Sequence, residues 1–210
     1  MSFWNRLTTH PQQAEDPKLV RFLLGDTRVA IFFLIVRVYL GWQWLEAGRH
    51  KLFDPTWMET GTALQGYWTR AIAVPKPPAR AAITYGWYRD FLQFMLDHSW
   101  YTWFAKLVAI GETLVGIALI MGLFVGLAAF FGGLMNFNFM LAGSSSTNPV
   151  LFGLAVLMIL GWKVGGYIGI DHWLLPILGT PWKPGTLFVR EARPAAPGTT
   201  GGGGKQPLAP

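Results

Sequence analysis

Apolar residues run along this chain in blocks too long for strands and too continuous for the one-sided stripe of a surface helix. Val29 to Leu45 (VAIFFLIVRVYLGWQWL) holds a single charge, Arg37, among seventeen residues. That length suffices to cross a bilayer's hydrocarbon layer, and Gly48-Arg49-His50-Lys51 marks the exit. The first predicted span is therefore about 29–47. Leu107 to Ala142 is thirty-six residues interrupted only by Glu112, Asn136 and Asn138. As one helix it would measure roughly 54 Å, against about 30 Å of hydrocarbon. Two spans, about 104–122 and 124–142, fit better, joined by a tight turn at Gly122-Leu123-Phe124-Val125-Gly126. Gly143 to Pro149 then reads as a loop into a helix start, with Asn148 as N-cap and Pro149 at the first helical position. A fourth span of about 149–167 follows.

The pattern predicts an all-α integral membrane protein, a four-transmembrane-helix bundle occupying 29–178. The long first loop, 48–103, is broken by Pro55, Pro75, Pro77 and Pro78. Its later part has a helical period, with Trp87, Tyr88, Phe91, Leu92 and Met95 on one face. A short amphipathic helix over about 85–97 is expected there, on the membrane surface or capping the bundle. Residues 1–28 form a polar segment without the apolar run of a signal peptide, so the first apolar block reads as a retained span. Asp171 to Leu178 reads as a short interfacial segment. The tail, 179–210, is rich in Pro and Gly and is expected to be disordered.

Composition removes the soluble alternative. The chain is 52% apolar and 13% charged, and a 210-residue soluble core has too little interior for so much apolar surface. The bilayer is its expected partner. The net charge of +6 is scattered between the blocks, without a basic run interleaved with aromatics, so no nucleic acid is expected. Basic residues are nearly balanced on the two sides, and the reading adopted places both termini in the cytoplasm. Cysteine is absent, which excludes thiolate nucleophiles, iron–sulfur ligation and c-type haem attachment. His10, His50, His98 and His172 all fall outside the spans, and no metal-ligand spacing occurs. No bound cofactor or metal is therefore expected. Any redox chemistry would act on a diffusible carrier such as quinone, or through a partner's cofactor.

The polar residues inside the spans are the candidate chemistry. Arg37 and Glu112 each lie near mid-span, where an isolated charge costs at least a few kcal/mol. The simplest expectation is a buried Arg37–Glu112 pair, serving either as a lock for the bundle or as a proton- or ligand-handling site. Arg37, Gly41, Trp44, Gly48 and Lys51 are spaced to share one helical face, where glycines admit a close neighbour. Asn136 and Asn138 cannot both point inward. Asn136 is assigned to the core, Asn138 to a helix–helix hydrogen bond. Arg37, Glu112 and Asn136 are thus the catalytic candidates.

Several segments together resemble the DoxX/DoxD family of four-helix membrane proteins. They are Arg37-x3-Gly41-x6-Gly48-x2-Lys51-Leu52, Gly111-Glu112-x3-Gly116, Met135-Asn136-Phe137-Asn138, Ser146-Thr147-Asn148-Pro149, and Gly165-Gly166-Tyr167-Ile168-Gly169-Ile170-Asp171. The family includes the membrane subunit of thiosulfate:quinone oxidoreductases, and Trp87-Tyr88-x2-Phe91-Leu92 is similar to its DoxD branch in particular. The resemblance implies a quinone-linked oxidoreductase subunit in the plasma membrane, with a second membrane or peripheral subunit. A substrate such as thiosulfate would suit the cations at one mouth of the bundle, so Arg49, Lys51 and Trp44 are the substrate-binding candidates. The rival reading is a non-catalytic accessory subunit of a larger respiratory or photosynthetic complex. A small-solute carrier has no internal repeat or broken-helix pair to support it.

Overall fold

Large apolar side chains are exposed along the outer faces of the long helices, while a few charged ones, Arg37, Glu112 and Asp171, are buried between them. On the helix Ala30–Leu52, Ile31, Ile35, Val38 and Trp42 are exposed along one face, while Phe33, Arg37, Leu40, Trp44 and Gly48 are buried along the other. The computed structural model describes residues 16–76 and 78–180. The predicted disordered tail lies outside the described residues from position 181 onward, as do the first fifteen residues of the N-terminal segment.

The described residues are helical, with no strand among them. In chain order the helices are α1 Lys18–Gly25, α2 Ala30–Leu52, α3 Pro55–Met58, α4 Thr62–Ile72, α5 Gly86–Asp97, α6 Tyr101–Met121, α7 Val125–Leu141, α8 Asn148–Leu160, α9 Trp162–Gly165 and α10 Asp171–Ile177. α2, with the 3-10 turn Thr27–Val29 before it, and α6 are each long and apolar enough to cross a membrane. α7 and α8 are apolar but shorter.

The chain divides into two units. In the first, residues 1–174, α2 and α6 pack as antiparallel neighbours at their glycines. A Cβ on Gly48 would strike Thr113, one on Gly116 would strike the Leu45 backbone, and one on Gly41 would meet Ile120. The sequence thus permits backbone-to-backbone approach where the helices cross. The core along them joins Phe33, Leu40, Trp44, Val115, Leu119, Val125, Ala129, Ala155 and Met158. A separate cluster, including Leu64, Trp68, Leu92 and Met95, packs α4 and α5 with Ala105 of α6. The second unit, residues 175–210, is described only to Thr180, where Gly179 takes a left-handed turn with φ 86°.

Three local departures from the sequence reading have physical causes. The fourth apolar block does not run as one helix to residue 167. α8 ends at Leu160, because Gly161 gives up its place to the Phe33 ring and the chain turns there before α9. Asn148 is the first residue of α8 and not its cap, since its amide donates back to the Ser144 carbonyl at 2.9 Å. On α5, Tyr88, Leu92 and Met95 are buried, but Trp87 and Phe91 are exposed.

Candidate functional site

Two polar centres lie inside the bundle, at opposite ends of α2. Arg37 and Lys51 are fourteen residues apart, or roughly 21 Å along a helix axis. The antiparallel register fixed by the glycines sets Gly48 beside Thr113 and Arg37 beside Gly122. Glu112 therefore lies at the level of Lys51, far from Arg37, and the expected Arg37–Glu112 pair does not form. Glu112 Oε2 instead accepts from Lys51 Nζ at 2.6 Å.

The Arg37 centre is tightly packed, and the guanidinium bonds through its two terminal nitrogens while the buried Nε is left without a partner among the described residues. Its Nη1 donates to the Gly165 carbonyl at 2.9 Å and its Nη2 to the Ile168 carbonyl at 2.8 Å. Gly122 and Gly169 press against the guanidinium so closely that a Cβ on either would strike Nη1. Asp171 provides the nearby countercharge. Its carboxylate accepts from the Phe124 N–H at 2.6 Å and the Val125 N–H at 2.8 Å, capping the first turn of α7. In return, the Asp171 N–H donates to the Gly122 carbonyl at 2.8 Å. The turn it holds is strained, since Phe124 sits at φ 44° without being glycine. This centre is a clasp that ties the α6–α7 turn to α2 and to the segment 165–171.

The Lys51 centre is different. It floors a half-open cavity of about 610 Å³ between α2, α4, α6, α7 and the start of α8. Glu112 is 1% exposed and Lys51 is 20% exposed at the side chain. The ammonium also lies 5.1 Å from the centre of the Trp57 ring. Asn136, fully buried on the cavity wall, has neither amide nitrogen nor amide oxygen bonded to the protein. The buried Trp44 indole N–H, on the same wall, is also unbonded. Gly132 makes room for that ring. Buried polar groups of this kind ordinarily find partners, and both of these residues sit on the lining of the cavity.

Of the six candidates, the structure brings together Trp44, Lys51, Glu112 and Asn136. Arg37 belongs to the other centre. Arg49 is exposed on the outside of α2, where its Nη2 donates to Glu46 at 3.0 Å. Asn138 takes part in the expected helix–helix contact, accepting from the Tyr88 hydroxyl at its backbone oxygen (3.1 Å) and its side-chain oxygen (3.3 Å). The sequence reading missed Arg70, an exposed cation at the cavity edge with no ion pair among the described residues. It missed the role of Asp171 as well. Among the described residues no group of three metal-capable side chains gathers.

An all-helical bundle that exposes apolar faces and buries a lysine–carboxylate pair beside an open polar cavity defines a class of integral membrane protein. Within that class the chain belongs to the DoxX family, whose family model matches residues 32–143. The match covers Trp44, Lys51, Glu112 and Asn136; Asp171 lies beyond it. No curated protein and no solved structure matches the chain.

Proposed function

We propose that this protein is a four-span DoxX-type subunit of a quinone-linked oxidoreductase system in the plasma membrane, and that its polar cavity receives the quinone ring. The observation that carries this reading is the open hydrogen-bonding set of Asn136 and Trp44 beside the Lys51–Glu112 pair. A quinone presents two carbonyl oxygens, which suit the amide N–H of Asn136 and the indole N–H of Trp44. Its reduction takes up two electrons and two protons. Glu112 and Lys51, both on the cavity lining, are the groups this reading assigns to pass the protons. The electrons come from an anionic sulfur donor such as thiosulfate, two of which release two electrons on joining through a sulfur–sulfur bond. Lys51 and Arg70 give the cavity its attraction for such an anion. A second membrane or peripheral subunit completes the system.

The proposed spans are α2, α6, α7 and α8 continued by α9. Single cysteines at Lys18 and Ser145 should then react with a membrane-impermeant reagent from opposite sides, against a native background free of cysteine. Labelling of both from one side would overturn the four-span arrangement.

The ring site has its own test. A short-chain quinone at 100 times its dissociation constant should stabilise the purified protein by about 2.7 kcal/mol, seen as a raised melting temperature. The shift should disappear in Glu112→Gln and in Asn136→Ala, and persist in Arg49→Ala, whose side chain lies outside the cavity. A protein indifferent to quinones and to thiosulfate, isolated only as part of a larger complex, would instead be an accessory subunit.

A further inference from the structure

A second cavity, of about 380 Å³, lies between α4 and α5 on one side and α6 and α7 on the other. Its lining is almost wholly apolar, where that of the first is mixed. Phe91, Leu107, Phe131 and Leu134 line it and are also exposed on the outer surface, so it opens through the apolar face of the protein. Of the polar groups on its lining, the Tyr88 hydroxyl and the Asn138 side-chain oxygen are bonded to each other. Burial pushes the Tyr88 phenol up to about 12, so the hydroxyl stays a neutral donor at physiological pH. The Tyr67 hydroxyl, on the wall shared with the first cavity, is buried and unbonded among the described residues; the rest of the lining is almost wholly apolar and gives an aliphatic chain continuous van der Waals contact.

Leu64, Tyr67 and Phe139 line both cavities. A polar chamber carrying open hydrogen-bond donors thus adjoins an apolar chamber open to the lipid face. We infer that the apolar cavity between α4–α5 and α6–α7 holds the isoprenoid tail of a lipid quinone whose ring occupies the polar cavity. The inference rests on the quinone reading of the polar cavity and adds the place of the tail, in an apolar cavity that opens toward the bilayer. In a bilayer the tail is already in an apolar solvent, so the cavity adds packing and orientation to the bound ring.

The test uses the full chain in lipid vesicles and a quinone with a photoreactive diazirine near the end of its alkyl tail. After irradiation, attachment should map to residues 88–95 and 131–138. It should be lost with excess tailless quinone, and lost again in Gly111→Leu. A Cβ on Gly111 would lie 3.7 Å from the Met135 sulfur, an ordinary contact, so the rest of a leucine side chain would fill the cavity. Leu134→Trp, at the exposed mouth, is the second variant should Gly111→Leu fail to fold. Attachment confined to the lipid-facing side of α2 at Ile31, Ile35 and Trp42 would overturn the inference, as would labelling unaffected by either variant. Labelling of the cavity that tailless quinone does not displace would mark a site for phospholipid acyl chains, and also overturn it. The melting shift with tailless quinone separates the two levels. If that shift is present and lost in Asn136→Ala while tail labelling is absent, the tail site alone falls; if both are absent, the ring site falls with it.

Discussion

Asp171→Ala is expected to destabilise the protein by about 3–5 kcal/mol, the range found when one member of a buried charged set is removed. Three losses coincide. The Phe124 and Val125 N–H groups lose their acceptor at the start of α7, and loss of a helix cap alone costs about 1 kcal/mol. Phe124 keeps its left-handed conformation without the bond that holds it. Arg37, 2% exposed, keeps its two carbonyl acceptors but loses its nearby negative charge. Melting of purified variants in one detergent checks this, with a drop on the order of 10 °C expected for a chain of this size. Asp171→Asn should fall between, since it keeps one acceptor oxygen and removes the charge. A wild-type melting curve for Asp171→Ala would show that the clasp holds nothing.

The apolar blocks placed the main helices because a membrane-facing helix must be apolar on its outer side whatever its neighbours are. The glycines of α2 and α6 were legible for a related reason, since small residues recurring at helical spacing on a face are what a close crossing requires. The partner of Glu112 was not read, although the same glycines contained it. Gly48 against Thr113 and Gly41 against Ile120 set an antiparallel register that carries Arg37 to the α6–α7 turn and Lys51 to Glu112. Pairing Arg37 with Glu112 by depth within each span requires both spans to be centred alike. They are not. α2 continues to Leu52, past Gly48-Arg49-His50-Lys51, where the polar residues had suggested its end.

The loop helix α4 was obscured for a different reason. Prolines on both sides made the whole first loop look irregular, yet none falls between Pro55 and Pro75, and the chain there is free to form the Thr62–Ile72 helix. Its burial of Leu64 and Trp68 brings Arg70 to the edge of the cavity. The role of Asp171 is invisible in the sequence, because its partners are backbone N–H groups, which a sequence does not display.

Lys51→Ala is expected to destabilise the protein by about 3 kcal/mol, and Glu112→Gln in the same chain to restore most of that loss. The asymmetry of the pair sets the order of effects. Glu112 is 1% exposed and its one hydrogen-bond donor among the described residues is Lys51, so removing the lysine strands a carboxylate inside the bundle. Lys51 is 20% exposed and has a flexible stem, an additional carbonyl acceptor at Ala47 and the Trp57 ring beneath it. It can turn toward the cavity opening when the glutamate is neutralised. Glu112→Gln alone should therefore be mild, Lys51→Ala severe, and the double variant close to Glu112→Gln. Thermal melts of the four proteins measure the coupling directly. Equal losses for Lys51→Ala with and without Glu112→Gln would show that the buried carboxylate does not depend on the lysine. The quinone-induced shift, followed in the same melts, should be missing from the double variant even where its stability has returned. Recovery of the fold without recovery of binding would separate the pair's part in the cavity from its part in holding the bundle.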